Sequence, residues 1–555
     1  MPSFISRTTF SQSINHPQSS GNQVNRVYNL NTSIGYETIQ EAIDANETLN
    51  GHTIFVETGM YYEHIIVSKS LSLVGENRST TIIDGNQTTS IIILVKNNNV
   101  KITGFTVQNG QSTGISTFSD FSGHNISYNY VTNMHTAMWL TSNNTIVVAN
   151  TVFNNYWGIF LIASNCTLLG NHMSGNTYNF VVYGSYDSEY DHLVDITNTV
   201  DTKPIYYLKN ISDTVYGAQT NAGLFVLYKC NNITIKDLAL TGNRWGVLLW
   251  NSTFCRIENV TASSNTIGIR LFHSDNSTVF GCTTVSNRDA GISVIYSMKN
   301  IISGNNVSSN EHTGIFFGNS SDNTVFGNNL ANNDKGFWLA ENSFPNKFYH
   351  NNLINNSRQV DFYDSYPNSW GNDIEGNYWS NYSGVDSDHD GIGDTPYLLD
   401  ANNTDHFPLM GEFHKYHIWY IERGFTLTLI SNSTISNFFV GFWIEHPEYR
   451  IIFFDVAGET GYGFCRLCIP KSLMAPPYTV TIDNGQTPVT YYNETLFDND
   501  THQWIYFAYL HSEHQVEIIP EFPSFLILPL FMIATLLAVI VYKRKHQTRN
   551  KKREV

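Results

Sequence analysis

Charged side chains are scarce in this chain of 555 residues, where Asp, Glu, Lys and Arg together make up 14%. An ordinary globular protein has about 25%. Basic residues are the scarcer sign, because 30 Lys and Arg stand against 47 Asp and Glu, a formal net charge of -17. A nucleic-acid partner requires a basic face for its phosphates, so this balance argues against nucleic acid as a partner. Cysteine is also rare: six residues are too few for a disulfide framework in a chain of this length.

Apolar and aromatic residues are plentiful instead. The chain is 41% hydrophobic and contains 34 Phe and 32 Tyr. This is enough material for a large core, which excludes wholesale disorder. The length favours two to four domains.

An internal repeat determines the predicted fold. An Asn closes each of six consecutive short segments at a spacing of 22 or 23 residues: Asn243, Asn265, Asn287, Asn310, Asn333 and Asn356. A short apolar strand beginning Gly-Val or Gly-Ile or Gly-Phe follows most of them, and an earlier stretch contains the same pattern. One such unit cannot bury its apolar side, but stacked units can, through parallel pairing between rungs. Asn suits the corners because it tolerates left-handed turns and can hydrogen-bond along a ladder.

The repeat therefore predicts an all-β chain whose main part is a right-handed parallel β-helix over 26–375. A short amphipathic helix at 37–44 caps its start, and one irregular rung with a side loop interrupts the period at 185–221. Leucine-rich horseshoes lack such Asn corners, and propeller blades are longer, about 40 residues. An Asp-rich segment at 376–410 ends the coil. At 411–519 the period is absent, and strand-like runs separated by turns such as Asp483-Asn-Gly predict an antiparallel β-sandwich.

The two termini suggest a location. Residues 1–25 are polar, without the apolar region of a signal peptide, and we predict a disordered or truncated start. A Pro linker at 520–524 precedes eighteen uncharged residues, 525–542, which predict a transmembrane helix; the alternative is a buried core helix. The basic tail 543–555 would then be cytoplasmic and the body extracellular. About twenty Asn-x-Ser/Thr sites are compatible with a glycosylated external surface.

Several segments carry a family resemblance. The TIQEAID helix at 38–44, the TIFVETGMYYEHIIV rung at 53–67 and the repeats resemble the pectin-lyase-like superfamily. More closely, NTVDTKPIYYLKN at 198–210 and the GNYWSNYSG and DSDHDGIGDTPY segments resemble the NosD-type archaeal surface proteins grouped as carbohydrate-binding proteins and sugar hydrolases. The resemblance covers about residues 30 to 410. Pro-Glu-Phe at 520–522 with the apolar helix and basic tail resembles a sorting signal processed by archaeosortases; the alternative is a plain anchor.

The Asp-rich segment predicts a calcium site. Carboxylates at alternate positions and a Gly for the sharp turn suit a hard cation that takes oxygen ligands. The candidate ligands are Asp386, Asp388, Asp390, the Ile392 carbonyl and Asp394. Position twelve of the loop is Tyr397, where a helix-loop-helix site has a bidentate Glu, so the match is incomplete. The alternative is a solvated Asp-rich turn.

A second candidate is an apolar stripe on the outside of the coil. In each Gly-Ile-x-Leu strand, Ile and Leu point inward, so x and the residue two later point outward. We call these residues the outward stripe and interpret them as a stacking surface for sugar rings: Trp139, Phe160, Tyr183, Trp250, Arg270, Phe272, Phe316 and Trp338. The alternatives are that the 185–221 loop or the sandwich covers the stripe, or that rungs stack like residues on like.

The predicted function is that of a membrane-anchored surface protein that binds glycans or contributes to a surface layer. The alternative is a polysaccharide lyase or hydrolase, although no acid pair stands out in one strand register. Its scattered candidate residues are Arg270, His273, Asp275, Arg288, Asp289, Asp334, Lys335, Asp187, Asp191, His192 and Asp195. A third option, implied by the resemblance, is an accessory role in copper-enzyme maturation. Copper favours clustered His, Met or Cys, whereas Cys465 and Cys468 are expected on opposite sides of a strand. Cys166, Cys230, Cys255 and Cys282 are expected to be core residues.

Overall fold

The computed structural model describes residues 26–88, 90–420, 423–443 and 446–521. They form two compact units: the first contains residues up to 348, 353–369 and 400–403, and the second contains 349–352, 370–399 and 404 onward. The predicted start 1–25, transmembrane helix 525–542 and tail 543–555 lie outside the described residues, as do residues 522–524 of the Pro linker. Within the described residues, every helix is too short or too polar to cross a bilayer.

The first unit begins with a parallel coil over 26–200, which we call the first coil, built from three sheets. In sheet 1 the first three strands pair antiparallel and the later strands pair in parallel. Its order is Ile34–Tyr36, Val27–Asn29, Thr53–Val56, Ser72–Gly75, Lys101–Thr103, Asn125–Ser127, Ile146–Val148, Thr167–Leu169 and Leu193–Val194. The first-coil part of sheet 2 contains Gly59–Tyr61, Thr81–Asp84, Thr106–Gln108, Tyr130–Thr132, Thr151–Phe153, His172–Ser174 and Thr199–Val200. Sheet 3 contains Ile65–Val67, Ile91–Val95, Thr113–Thr117, Thr136–Leu140, Trp157–Leu161 and Tyr178–Val182. The predicted solenoid of short parallel strands is therefore confirmed.

The predicted cap helix is present at Ile39–Asp44. Thr38 accepts a hydrogen bond from the Glu41 backbone N–H, and the Glu41 side chain accepts one from the Thr38 backbone N–H, which forms a capping box. Ile39 and Ile43 are buried and join the core of the first coil. The helix therefore covers apolar side chains near the start of the coil.

A second coil follows over residues 203–369. Its strands extend sheet 2 with Lys203–Lys209, Leu224–Tyr228, Trp245–Trp250, Ile267–Phe272, Ala290–Ile295, Thr313–Gly318, Lys335–Ala340 and Arg358–Phe362. Sheet 4 contains Ser212–Tyr216, Asn231–Thr241, Arg256–Ser263, Thr278–Phe280, Thr283–Val285, Ile301–Ser303, Asn306–Ser308, Thr324–Phe326 and Asn329–Ala331. The strands Lys347–Tyr349 and Asn352–Ile354 come next along the chain. Two 3-10 turns, Asp187–Tyr190 and Ala218–Thr220, lie near the end of the first coil and early in the second coil.

The chain reverses direction between the coils, where we had predicted one continuous coil with an irregular rung. Thr199–Val200 pairs antiparallel with Lys203–Lys209 across a two-residue turn, and later strands are parallel to the latter. If the second coil has the same hand as the first, reversing the strand direction makes the chain wind on the other side of sheet 2. The interior of the second coil then lies on the opposite face of this shared sheet from the interior of the first coil. Consistent with this, the outward-facing Val226 and Leu248 of the second coil belong to the core cluster of the first coil. The second coil thereby caps the end of the first.

The predicted Asn ladder is present at one corner of the second coil. The backbone N–H of each ladder Asn donates to the side-chain oxygen of the Asn one rung later, over 3.0–3.1 Å, through Asn243, Asn265, Asn287, Asn310, Asn333 and Asn356. The ladder Asn residues are not themselves left-handed. That conformation belongs to the preceding residue, for example Ser286 with φ of 54°. The ladder therefore satisfies backbone donors that the turn removes from the sheets.

The second unit contains two antiparallel sheets that share one core. Sheet 5 has the order Glu412–Tyr420, Arg423–Ser431, Tyr462–Pro470, His502–Leu510 and Tyr491–Asp498. Sheet 6 has the order Thr434–Trp443, His446–Ala457, His514–Pro520 and Tyr478–Ile482. Short strands at Tyr378–Trp379, Tyr397–Leu398 and Thr404–Asp405 and a 3-10 turn at Asp483–Gly485 complete the unit. Leu467 and Phe507 of sheet 5 lie in the same buried cluster as Phe454 and Ile518 of sheet 6, as in a sandwich.

Candidate functional site

A cleft of about 830 Å³ lies on the outer face of sheet 3, in the first coil. The strands Thr113–Thr117, Thr136–Leu140 and Trp157–Leu161 contribute its floor. The segments that follow these strands also line the cleft, through residues 118, 119, 141, 143 and 162–164, and the loop residues Tyr186, Ser188 and Glu189 complete the lining. Loops that project from a regular coil thus enclose a surface that the repeat itself would leave flat.

Two stacked aromatic pairs dominate the floor. The Trp139 ring lies on Phe160 with centroids 4.5 Å apart, and Trp157 lies on Tyr178 at the same distance. Phe160 is 7% exposed and Tyr178 is 5% exposed, whereas both indoles are only partly buried. Buried rings therefore support exposed ones, and Phe160 acts as a support within the outward stripe. The sequence argument missed Trp157 because it considered only positions after the repeat glycine, and Trp157 precedes Gly158.

In each of the two columns of register partners that contain Trp139 and Trp157, small hydroxyl residues on the earlier rungs are followed by aromatic residues on the later rungs. Ser116 is the register partner of Trp139, and Thr136 is the partner of Trp157. Neighbouring rungs are about 4.8 Å apart. Because a serine side chain is much smaller than an aromatic ring, a serine on the adjacent rung leaves space beside the indole. The cleft therefore combines flat apolar faces with hydroxyl donors and acceptors.

The wall at 186–189 is fixed by hydrogen bonds within its own loop. The Glu189 carboxylate accepts from the backbone N–H groups of Ser185 and Tyr186, at 2.7 and 3.0 Å. Behind it, His192 Nδ1 lies 3.2 Å from the Cys166 backbone N–H and Nε2 lies 2.8 Å from the Glu189 carbonyl oxygen. Burial lowers the pKa of His192 to about 4, so the ring is neutral near pH 7. Its role is to hold the loop.

The middle of the outward stripe is covered. Trp250 is 2% exposed and lies between Tyr190, 3.6 Å away, and Phe272, 4.1 Å away, measured between ring centroids. Its indole N–H donates to the Asp187 carboxylate at 2.9 Å. Trp250 therefore offers no free face to a ligand, and the alternative that the 185–221 loop covers the stripe is correct at this position.

The remaining residues of the outward stripe lie in three separate places. Phe316 and Trp338 are partly buried and meet edge to face at 4.9 Å, farther along the second coil and outside the cleft lining. Tyr183 is 40% exposed and lies 6.5 Å from Phe160. Arg270 lies over the Phe272 ring at 5.2 Å. The outward stripe is therefore not one continuous surface. Its aromatic residues that line the cleft are in the first coil.

The Asp-rich loop brings three of the predicted ligands together. Ligand atoms of Asp386, Asp388 and Asp394 all lie within 4.8 Å of one another, and no other group of three or more His, Cys, Asp and Glu side chains converges in this way among the described residues. The Asp390 carboxylate lies outside this group and accepts from the Ile392 backbone N–H at 2.7 Å. The predicted ligand role of the Ile392 carbonyl stays a prediction.

The loop carboxylates differ in their surroundings. Asp386 accepts from the backbone N–H groups of Asp390 and Gly391, each at 2.9 Å. Burial raises the pKa of Asp386 and of Asp390. A hydrogen bond from Ser387 lowers the pKa of Asp394. The backbone of the loop is therefore organised by its own carboxylates, which leaves Asp388 as the cluster member with the fewest backbone contacts.

The candidate catalytic residues do not converge. Asp187 pairs with Lys229 at 3.0 Å, Asp191 pairs with Lys209, and Lys335 pairs with Asp361 at 2.7 Å. The remaining candidates lie in four loops: His273 and Asp275 in one, Arg288 and Asp289 in a second, Asp334 in a third and Asp195 in a fourth. Among the lining residues of the cleft, Glu189 is the one carboxylate. Hydrolysis of a glycosidic bond requires two carboxyl groups at a defined separation, and the cleft lining does not supply that pair.

The cysteines do not form a copper donor set in the described part of the chain. All six are free and buried. Burial raises the pKa of the Cys465 and Cys468 thiols to about 12, so they stay protonated. The Asp cluster supplies hard oxygen atoms, which Cu(I) does not favour. These residues therefore do not fit copper.

Comparisons with known proteins agree with the fold. A family model described as "Periplasmic copper-binding protein (NosD)" matches residues 196–384, which confirms the predicted resemblance for that part. A relative named "Cell surface glycoprotein" from Methanothermus fervidus is 38% identical over 113 residues, which are 20% of this chain and 18% of the relative. The match therefore spans only a small part of the relative's length.

Solved structures of solenoid enzymes are similar at low identity. The catalytic domain of a GH87 alpha-1,3-glucanase, in complex with tetrasaccharides, is 14% identical with a TM-score of 0.29, covering 62% of this chain and 67% of its own. The Azotobacter vinelandii mannuronan C-5 epimerase AlgE4 A-module is 14% identical with a TM-score of 0.27, covering 60% and 94%. These scores assign no role to any residue here. The chain is thus similar to the NosD family over 196–384, and to an archaeal cell surface glycoprotein over a fifth of its length.

Proposed function

We propose that this protein binds an extracellular polysaccharide in the cleft on the outer face of sheet 3. The observation that carries the proposal is the pair of partly exposed indoles, Trp139 and Trp157, each stacked on a buried ring and flanked by hydroxyl side chains. A pyranose ring presents a flat C–H face that packs on an indole, while its hydroxyl groups take hydrogen bonds from Ser and Thr. Ligand sites combine apolar aromatic surface with a few placed polar groups in this way.

The size of the cleft fits this ligand class. Its volume of about 830 Å³ lies within the usual range of ligand pockets, about 300–1,000 Å³. The lining extends over successive rungs, from Ile91 to Ala163. It therefore suits a short stretch of a longer chain better than a single small molecule.

Binding without cleavage is the chemistry that the lining residues support. Glu189, the single lining carboxylate, already accepts two backbone hydrogen bonds. Its position therefore favours a structural role over that of a general acid. The similarity to a cell surface glycoprotein and the Asn-x-Ser/Thr sites support a location outside the cell, and the predicted helix at 525–542 would be the anchor.

We further propose that the Asp386–Asp388–Asp394 cluster binds calcium in a structural role. Its three converging carboxylates match the preference of calcium for oxygen ligands. Mutual repulsion among them would be relieved by a divalent cation.

Affinity measurements on a panel of neutral and acidic polysaccharides test the binding proposal. Trp139→Ala and Trp157→Ala should each weaken binding of the best ligand by about 2- to 10-fold, since stacking on an aromatic ring contributes about 0.5–1.5 kcal/mol. Trp338→Ala is the matched control, because that partly buried indole lies outside the cleft lining. Unchanged affinity in the folded double variant would overturn the proposal, and release of reducing sugar by the wild-type protein would replace it with an enzyme.

A further inference from the structure

Two arginines in the second coil lie over the same tryptophan ring, and neither has a carboxylate partner among the described residues. The Arg244 guanidinium carbon is 4.6 Å from the Trp245 ring centroid, and the Arg270 carbon is 4.8 Å from the same ring. Both side chains are partly buried. Among the described residues, neither guanidinium makes an ion pair or a hydrogen bond, and the Arg244 Nε is a buried donor without an acceptor. We call these two residues the arginine pair.

Burial of two guanidinium groups without a counter-charge is energetically unfavourable unless a ligand contacts them. Burial lowers the pKa of both guanidiniums, and for Arg270 the neighbouring Arg244 lowers it further. The exposed Asp289 influences both guanidinium groups electrostatically, but it forms no ion pair with either. Elsewhere in the chain a buried arginine is paired, as Arg466 is with Glu375 at 2.8 Å. Removing two like charges from water without a counter-charge is unfavourable.

The arginine pair adjoins the proposed binding cleft. Arg244 lies over the Tyr183 ring at 4.8 Å, and Tyr183 lies 6.5 Å from Phe160, which supports Trp139 in the cleft floor. The 3-10 turn Asp187–Tyr190 links the two regions, because Ser188 and Glu189 line the cleft and Tyr190 lies close enough to both guanidinium groups to influence them electrostatically. A polysaccharide lying on Trp139 thus has a cationic site a short distance along its path.

We propose that Arg244 and Arg270 form an oxyanion site that receives the carboxylate or sulfate group of an acidic polysaccharide held in the cleft. Guanidinium groups donate in a planar fork that matches a carboxylate or a sulfate in bidentate fashion. The bound anion would satisfy the unpartnered Arg244 Nε and neutralise the repulsion between the two charges. This inference rests on the proposed function, since it names the class of polysaccharide that the cleft takes.

The test uses matched ligand pairs on the full-length protein. We would measure affinity for a glucuronate-containing oligosaccharide and its carboxyl-reduced form, for a sulfated oligosaccharide and its desulfated form, and for inorganic sulfate alone. The larger preference within the two pairs identifies whether a carboxylate or a sulfate is the natural group. The wild-type protein should prefer the charged member of one pair at least about 10-fold, and increasing salt should reduce this preference.

Variants assign that preference to the arginine pair. Arg244→Gln with Arg270→Gln should abolish the preference and the sulfate binding, while melting temperature stays equal or rises because buried like charges are removed. Arg256→Gln is the control, since Arg256 is on the same coil and already pairs with Glu258. A folded double variant that keeps the preference overturns the inference.

The two proposals fail separately. Equal binding of charged and uncharged oligosaccharides, sensitive to Trp139→Ala, supports the cleft and overturns the oxyanion site. Arginine-dependent binding of sulfate without any Trp139-dependent oligosaccharide binding supports the site and overturns the cleft. Absence of both overturns both.

Discussion

Tyr190 lies face to face on Trp250, with ring centroids 3.6 Å apart and planes 20° apart. Tyr190 belongs to a loop near the end of the first coil, whereas Trp250 is on the outward face of the second coil. The Tyr207 hydroxyl donates to the Tyr190 carbonyl oxygen at 2.7 Å, which fixes the loop from the second coil as well. The contact is therefore the centre of the junction at which the two coils meet.

Tyr190→Ala should destabilise this junction. Truncating a buried aromatic side chain costs about 3–5 kcal/mol, and here it also exposes Trp250. Chemical unfolding followed by tryptophan fluorescence would show a lower midpoint and a red-shifted native spectrum. Tyr186→Ala is the control, because Tyr186 is 73% exposed in the same loop. Equal midpoints for the two variants would contradict a packing role for Tyr190.

The Asn ladder should be sensitive to a single truncation. Asn287 accepts a hydrogen bond from the Asn265 backbone N–H and donates from its side chain to the Ala262 carbonyl oxygen. Asn287→Ala leaves that N–H buried without an acceptor, at about 1–3 kcal/mol. Denaturant titration should detect this loss, whereas the exposed Asn306→Ala should change stability by less than about 0.5 kcal/mol. A ladder of no energetic importance would give the same small change at both positions.

Calcium should stabilise the second unit if the Asp-rich loop binds it. At a free concentration 100-fold above Kd, a ligand that binds only the folded state contributes about 2.7 kcal/mol. Chelation should therefore lower the Tm, and Asp388→Asn should remove the response to calcium. Asp500→Asn, an exposed substitution in the same unit, should keep it. A Tm that chelator leaves unchanged would remove the calcium proposal.

Acid should weaken the second unit through Glu375. Burial alone would raise the pKa of Glu375, but the hydrogen bond from His350 and the charge of Arg466 outweigh it, and the pKa is lowered. In the unfolded chain the pKa of a Glu side chain is about 4.3. The contribution of Glu375 to the free energy of unfolding is therefore fully present above about pH 4.3, and it is lost as the pH falls through the lower pKa of the folded state. Unfolding curves between pH 7 and pH 3 would measure the loss.

Glu375→Gln provides the companion measurement. It leaves the 4% exposed Arg466 buried without a counter-charge, a change that typically costs about 3–5 kcal/mol. The variant should lose part of the acid sensitivity, since the titrating group is gone. An acid transition identical to that of the wild type would show that other groups control it.

Much of the fold could be predicted from sequence because the repeat acts locally. The ladder positions follow from Asn spacing, and the inward positions of each strand follow from period two. The reversal at Asp201-Thr202 could not be predicted, since both residues have positive φ and such two-residue turns favour Asn-Gly or Asp-Gly. The strand that ends at this turn instead packs in a core shared with residues distant in sequence, such as Val226 and Leu248.

The candidate site was predicted only in part, for the same reason. Trp139 was found because it repeats in register with Phe160. Trp157 was missed because it lies before the repeat glycine, and Arg244 because it lies in a turn before Trp245. The burial of Trp250 depends on Tyr190, which is 60 positions earlier in the chain, and no local pattern connects the two.

The reversal has a consequence for how such a chain can change its size. In the second coil, strands from Ala290–Ile295 onward make their main contacts with strands of the same or adjacent rungs. Insertion or deletion of a whole 22- or 23-residue unit there would leave the junction, the cleft and the arginine pair untouched. Related proteins could therefore differ in length by whole repeat units while they keep the same binding surface.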